Sequence, residues 1–332
     1  MYGGMKIGSI IENNDKKYRI LSVLGSGSFS TVFLTENTET SQKLALKVMN
    51  RFSVENDIIK KEINIQLLMK KLCSPNPEIC KNIIYIIDYF EDHNNMFITF
   101  PYIENSIELL DFINNMLISE DPKYFEKIFK VNINVIIQCL KPLQELNIVH
   151  LDIKNSNILI KESDLSTYLI DFGLSCYNGK SDNGDDIPCK DRDGGTLKYC
   201  PPEILIKKQP ITYKADIFSF ACMLFEMIVG DSPHGLFVTK MYGVDERYNQ
   251  YNYMVRLTQL KDNERGYNDV CEYIRRVKLV KYNDDFLKLS KSEDLINLIA
   301  RGIEYDHSKR PEYDEFINVL NELYKESIEK KD

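Results

Sequence analysis

The sequence predicts an α+β protein built as two lobes, a small β-rich lobe carrying one long helix and a larger lobe that is mainly helical. Three observations predict it. Tyr18 to about Phe100 reads as short apolar strands interrupted by one amphipathic segment, Asp57 to Leu72. From residue 106 onward apolar residues recur at helical spacing, as in Val131, Val135, Ile136, Cys139, Leu140 and Leu143. The chain has 332 residues, enough for two domains at about 150 residues each. Its apolar content of 43%, with 20 tyrosines and 16 phenylalanines, can fill two cores. The expected boundaries are a polar tail over 1–16, the small lobe over 17–100, a hinge over 101–104, the large lobe over 105–325 and a tail over 326–332.

In the small lobe, Leu21 to Leu24 is an apolar strand running into Gly25-Ser26-Gly27-Ser28-Phe29-Ser30-Thr31-Val32, and Val32 to Leu34 returns from it. This is a hairpin whose glycines let backbone amides approach a phosphate, with Val32 under an adenine. Leu44-Ala45-Leu46-Lys47 follows as an alternating strand that places the Lys47 ammonium within reach of α- and β-phosphates. The helix after it carries Ile58, Ile59, Ile63, Leu67 and Leu68 at helical spacing, with Glu62 in its middle as the partner expected for Lys47 and Glu55 as a weaker competitor. Ile65, Leu67 and Leu68 are expected to bury the Glu62 face. Met96 to Phe100 is an apolar strand that ends at the hinge Pro101-Tyr102-Ile103-Glu104, with Phe100 at the back of the adenine pocket. A helical stretch is expected from near Ser106.

The large lobe holds the residues that carry the chemistry. His150-Leu151-Asp152-Ile153-Lys154-Asn155-Ser156-Asn157 precedes Asp171-Phe172-Gly173 in the order that phosphoryl transfer needs. One carboxylate must accept a hydroxyl proton while a second carboxylate and an amide hold Mg²⁺ against phosphates, and Asp152, Asp171 and Asn157 fit those roles. An isolated Asp-Phe-Gly is more often a turn; two motifs in register are hard to obtain by accident. Gly195-Thr196-Leu197-Lys198-Tyr199-Cys200-Pro201-Pro202-Glu203 closes the segment that Asp171 opens. Arg310 is placed to pair with Glu203, and Asp216, at the start of an apolar helix over Ile217 to Val229, to accept backbone amides of the catalytic loop.

Charge and composition exclude other classes. A net charge of −8 argues against direct nucleic-acid binding, because a phosphate backbone demands a basic surface. No apolar run reaches the length of about 18 residues that spans a bilayer. Gly3, Gly4 and Lys6 do not make a signal-peptide core, and Tyr2 excludes an N-myristoylation signal. A soluble intracellular chain is expected. Of the eight cysteines, neither Cys73 and Cys80 nor Cys176 and Cys189 have the spacing of a structural zinc site, so buried reduced thiols are expected.

These motifs together resemble the eukaryotic protein kinases over roughly Tyr18 to Leu323, and imply the bilobal protein-kinase fold. The loop GSGSFSTVFL with Ser30 where a third glycine is usual, the hinge FPYIEN and the catalytic stretch IVHLDIKNSNILI are most similar to the cell division cycle seven kinases. The resemblance implies transfer of the γ-phosphoryl group of ATP to protein serine or threonine hydroxyls. Asp152 takes the proton, Lys154 neutralises charge on the γ-phosphate, Thr196 bridges Asp152 and Lys154, and Lys47 pairs with Glu62. ATP is expected against Leu24, Gly25, Ser26, Gly27, Ser28, Phe29, Val32, Ala45, Lys47, Phe100, Tyr102 and Leu159, and Mg²⁺ on Asn157 and Asp171. A Dbf-type regulatory subunit and a nuclear location are implied too.

The chain departs from that family at Leu151, where arginine normally precedes the catalytic aspartate, around Lys198 and Cys200, where the family has an arginine, and in lacking its long inserts. Leu151 cannot receive a phosphate on the activation segment, and that segment offers only Ser181, Tyr177 and Tyr199 beside the structural Ser175 and Thr196. Asp182, Asp185, Asp186, Asp191 and Asp193 already make it acidic, so activation by a partner is expected rather than by phosphorylation. Two other readings stay open: a divergent, casein-kinase-like serine/threonine kinase, and a pseudokinase scaffold. Against the latter, Lys47, Glu62, Asp152, Asn157 and Asp171 are all present.

Overall fold

The computed structural model describes residues 5–13, 16–27, 30–52, 56–180, 189, 195–207, 209–243, 246, 250–276 and 284–329. The chain divides into two compact units, Met1–Ser106 with Ile170–Gly173, and Ile107–Leu169 with Leu174–Asp332. The first unit takes in the residues read as the hinge, 101–104, and the Asp171 segment.

The first unit is a sheet of antiparallel strands in the order β1-β2-β3-β4-β6-β5, comprising β1 (Ile10–Asn13), β2 (Lys16–Ser26), β3 (Ser30–Asn37), β4 (Lys43–Asn50), β5 (Asp88–Glu91) and β6 (Asn95–Pro101). One helix, α1 (Asn56–Cys73), crosses between β4 and β5 in sequence. Residues 10–13, expected in a loose tail, pair with β2 from Ile10 opposite Arg19 to Asn13 opposite Lys16. The alternation Ile-Ile-Glu-Asn is too short and too polar to announce a strand, and Ile11 packs under Ile20 and Phe33 all the same.

Alternation along β4 decides what faces α1. Leu46 and Val48 point into a cluster with Ile20, Phe33 and Phe97, while Met49 points the other way into a cluster with Ile59, Ile63, Ile86, Met96 and Ile98. Lys47 shares the Met49 face. On α1, Ile59, Glu62, Ile63, Gln66, Met69 and Cys73 make a buried stripe at three- and four-residue spacing, and Ile65 is buried beside it as expected. Leu67, assigned by sequence to the buried face, is 38% exposed, because it stands about a third of a turn off that stripe. Glu55 lies outside the described residues.

At the start of the second unit, which begins at Ile107, lies β7 (Ser106–Glu108), a strand where sequence spacing suggested helix; only then does α2 (Leu109–Ile118) begin. Next come α3 (Tyr124–Asn134), a π-helical turn over Val135–Leu140 and α4 (Lys141–Glu145), in succession along the chain. β8 (Ile148–Val149), β9 (Ile158–Lys161), β10 (Thr167–Leu169) and β11 (Cys176–Tyr177) form two small sheets, β10-β9-β7 and β11-β8. The rest is helical: α5 (Pro202–Leu205), α6 (Lys214–Val229), α7 (Pro233–Tyr242), α8 (Gln250–Lys261), α9 (Glu264–Arg276), α10 (Asp284–Leu287), α11 (Ser292–Gly302) and α12 (Tyr313–Glu329).

α6 is buried on all sides, from Ala215 to Phe225, as a helix that is apolar all round must be. α11 approaches it at Gly302, where a β-carbon would stand 2.6 Å from the Ala221 Cβ. Among the described residues no helix is long and apolar enough to cross a membrane.

The cysteines differ from expectation. Cys73 is disulfide-bonded to Cys80 and Cys176 to Cys189, with Cα atoms 5.7 and 5.6 Å apart. Sequence spacing alone could not show that these chain segments turn back on themselves. Cys139, Cys200, Cys222 and Cys271 are thiols and all are buried.

Candidate active site

In the first unit, the pairing of β3, β4 and β6 sets Val32 opposite Lys47 and Ala45 opposite Phe100. All of these are half-buried and on the Met49 face, so they make an apolar strip with one ammonium in it. Lys47 Nζ donates to Glu62 Oε1 at 2.6 Å and to Asp171 Oδ1 at 3.1 Å. Glu62 is in reach because it lies on the buried stripe of α1. Burial opposes charge on Lys47, but the two carboxylates outweigh it and hold the ammonium above the ordinary lysine range. Asp171 keeps 45% of its side chain exposed and has φ +64°, a left-handed conformation unusual for a residue with a side chain.

The glycine hairpin is closed by Gly27 N–H donating to Ser30 O at 2.9 Å, with Ser26 Oγ 3.4 Å from Thr31 Oγ1. β2 is irregular between Val23 and Gly25, and Leu24 there is 42% exposed. Ser28 and Phe29 lie outside the described residues. Tyr102, just past β6, is half-buried.

In the second unit, donors converge on the buried Asp152. Thr196 donates to Oδ1 through both N–H, at 3.2 Å, and Oγ1, at 3.0 Å. Lys154 Nζ donates to Oδ2 at 2.7 Å and also to Thr196 Oγ1 at 3.0 Å. Asn157 Nδ2 donates to Asp152 O at 2.8 Å and to Oδ2 at 3.0 Å. Leu159, in β9 opposite Tyr168, is half-buried.

The loop that carries Asp152 is tied down from below. Asp216 Oδ2 and Oδ1 accept from His150 N–H at 2.8 Å and Leu151 N–H at 2.9 Å. Burial pushes the Asp216 carboxyl up to about 7, against the pull of those amides. The bonds fix Leu151 at φ +68°, and Gly195, at φ +98°, has its Cα where a β-carbon would meet Leu151 O at 3.3 Å. Only glycine suits that place. Arg310 and Glu203 make a bidentate, fully buried pair at 2.7 and 2.9 Å.

Two groups near the closing segment were not foreseen. Glu226 Oε2 accepts from Asn155 Nδ2 at 3.0 Å and from the Tyr199 hydroxyl, and burial and Glu226 both raise the Tyr199 hydroxyl above its usual range. Lys261, 1% exposed at the end of α8, donates to Leu197 O at 2.8 Å and lies over the rings of Phe218 and Tyr267. Burial brings its ammonium down to about 8. A lysine at the end of a polar helix carries no mark in sequence of being buried. Lys198 is ion-paired with Glu246 at 2.5 Å.

In the first unit a charged Lys47 suits an anionic phosphate and Asp171 is a hard oxygen ligand of the kind Mg²⁺ selects; in the second, the Asn157 side chain carries an amide oxygen of the same kind. Comparison with known proteins agrees. The model of the protein kinase domain matches residues 18–320. A probable serine/threonine-protein kinase, samkB, of Dictyostelium discoideum is 30% identical over 66% of this chain and 35% of its own length. The serine/threonine-protein kinase PKH2 of Saccharomyces cerevisiae is 27% identical over 68% of this chain and 20% of its own. A probable KIN1 homologue of Enterocytozoon bieneusi is 30% identical over 65% and 33%. The alignments thus span about a third or less of these relatives.

Proposed function

We propose, for a chain that belongs to the protein kinase domain family, that it transfers the γ-phosphoryl group of ATP to serine or threonine hydroxyls of proteins. The observation that carries the reading is the Asp152 carboxylate, fixed by Lys154, Asn157 and Thr196 in one orientation. A substrate hydroxyl brought to Asp152 gives its proton to that carboxylate as its oxygen attacks phosphorus and the bond to the β-phosphate oxygen breaks. Lys154 balances charge on the phosphoryl oxygens, and Lys47, held by Glu62, does the same for the α- and β-phosphates. Asn157 and Asp171 are the residues that would hold Mg²⁺, which would supply charge neutralisation to the phosphates. Lys154, two residues after Asp152, is the choice expected for serine and threonine rather than tyrosine, and the names of the relatives support this.

The finer reading, a cell division cycle seven type kinase that acts in the nucleus with a Dbf-type subunit on the replicative helicase, is supported by the glycine loop, hinge and catalytic-loop motifs. The pairing of Lys198 with Glu246 favours the general serine/threonine reading over one selective for acidic sites. Phosphorylation of a peptide array with Mg·ATP tests both. Labelled serine or threonine that disappears with Asp152→Asn supports the general reading, and no label on any peptide or protein rejects it in favour of a scaffold. An acidic preference gained with a Dbf-type subunit supports the finer one; a basic or proline-directed preference rejects it.

A further inference from the structure

The turn over 195–200 carries Thr196 to Asp152, and two helices fasten it. Within the turn, Tyr199 N–H donates to Thr196 O at 2.8 Å and Cys200 N–H to Leu197 O at 3.4 Å. α6, whose Asp216 holds the catalytic loop, supplies Ser219 Oγ to Tyr199 O at 2.9 Å and the Glu226 carboxylate to the Tyr199 hydroxyl. α8 supplies the other fastening. Lys261 Nζ donates to Leu197 O at 2.8 Å, the carbonyl of the residue that follows Thr196. The end of α8 is in turn held by α9, packed so closely at Gly266 that a β-carbon there would overlap Leu260 O.

A buried ammonium destabilises a fold unless a carboxylate answers it. Among the described residues no carboxylate pairs with Lys261. The groups that face it are Cys200 of the turn, Cys222 of α6, His234 of α7, Tyr267 of α9 and Arg310, which Glu203 already neutralises. Burial pushes the Cys200 and Cys222 thiols up to about 11 and about 12, raises the Tyr267 hydroxyl and keeps His234 neutral. Lys261 is therefore the group of this cluster that changes charge between pH 7 and 10. A charge kept against the stability of the fold, on the residue next to Thr196, points to a use in the reaction.

We propose that Lys261 is a positioning residue for phosphoryl transfer: by holding the Leu197 carbonyl it keeps Thr196 where it fixes the Asp152 carboxylate. The charge makes the hold effective, since a hydrogen bond from an ionised donor is roughly twice as strong as one from a neutral donor. As pH rises through about 8 the ammonium becomes an amine, the turn loosens and turnover falls. In the same window the fold gains stability, because the buried charge is gone. A lysine that served only the fold would move both in one direction. The proposal rests on reading Asp152 as the proton acceptor of a kinase.

The test compares the full chain with Lys261→Met in steady-state phosphorylation at saturating Mg·ATP. At pH 7 the kcat of the variant is expected to be lower by about tenfold or more, since small displacements of positioned groups cost that much. Its KM for Mg·ATP should be unchanged and its melting temperature equal to the parent's or higher. Between pH 7 and 9.5 the parent's kcat should fall towards that of the variant, whose own profile lacks this limb. Equal kcat at pH 7, a raised KM with kcat unchanged, or lost turnover together with a lower melting temperature overturns the proposal. The parent's profile needs no variant to fold, and a kcat that stays level to pH 9.5 overturns it as well. If the parent transfers no phosphate, the kinase reading fails by itself, and hydrogen exchange of the Thr196 amide decides. Faster exchange in Lys261→Met at pH 7 supports the hold on Thr196; equal exchange in the two chains refutes it.

Discussion

Four donors meet on the two oxygens of Asp152: Thr196 N–H and Oγ1 on one, Lys154 Nζ and Asn157 Nδ2 on the other. Asp152→Asn puts an amide among those donors and removes the proton acceptor, so phosphoryl transfer should fall by about 10²–10⁴-fold with Mg·ATP binding close to intact. Asp171→Asn removes one of the charges around Lys47 and a metal ligand, so it should lose both transfer and Mg·ATP affinity. Calorimetric titration with Mg·ATP separates the two, and near-normal turnover of either variant contradicts these roles. Lys261 gives a prediction in pH. Its ammonium titrates near 8 in the fold and near 10.5 when unfolded, so folding is penalised below pH 8 and relieved as pH rises towards 10.5. The parent chain should gain stability across that window relative to Lys261→Met, by about 3 kcal/mol in total. Denaturant midpoints at pH 7.5 and 10 measure this, and identical slopes for the two chains refute it.

Among the elements, α5 and the turn before α12 are joined by Arg310 and Glu203, which also receive α6 through Arg310 Nη1 on Lys214 O at 2.8 Å. Removing one partner strands a buried charge, so Glu203→Ala should cost about 3–5 kcal/mol, while replacing both by apolar residues of similar volume should cost far less. Chemical denaturation of both variants checks this. Gly302→Val should cost about 1–3 kcal/mol by overpacking α11 against Ala221, and a melting temperature equal to the parent's would show that the helices can separate freely. The elements that sequence revealed are those whose pattern is local. The Leu44–Lys47 alternation and the apolar α6 are of this kind, and so is the stripe that contains Glu62. β1 and β7 escaped because their stability comes from the strands they pair with. The link between Cys176 and Cys189 escaped because distance in the fold has no trace in spacing. At the site, motif order located Lys47, Glu62, Asp152 and Asn157, whereas Lys261 and the bonds of Glu226 depend on packing that only the folded chain displays.

For the molecule as a whole, the Leu151 position and the acidic closing segment lead to one expectation about control. The isolated chain should respond little to phosphorylation and more to a protein that steadies α1, because the Glu62–Lys47 contact is the charged link that a shift of that helix would break. Turnover of the purified chain alone and with a Dbf-type subunit measures it; full activity alone contradicts it. Ser181 and the acidic residues Asp182, Asp185, Asp186, Asp191 and Asp193 lie outside the described residues, so Ser181→Ala is the control, and a large loss there points to phosphorylation instead.

Leu151 itself has a wider consequence. An arginine in its place would be a buried cation needing an anion, and the chain would be silenced whenever a phosphatase removed that anion. A leucine packed among Val149, Ile204 and Ile211 asks for no counter-ion and is complete as soon as the chain folds. Treatment with a broad-specificity phosphatase should therefore leave the activity of this chain unchanged, which places it outside the reach of the enzymes that ordinarily end a phosphorylation signal.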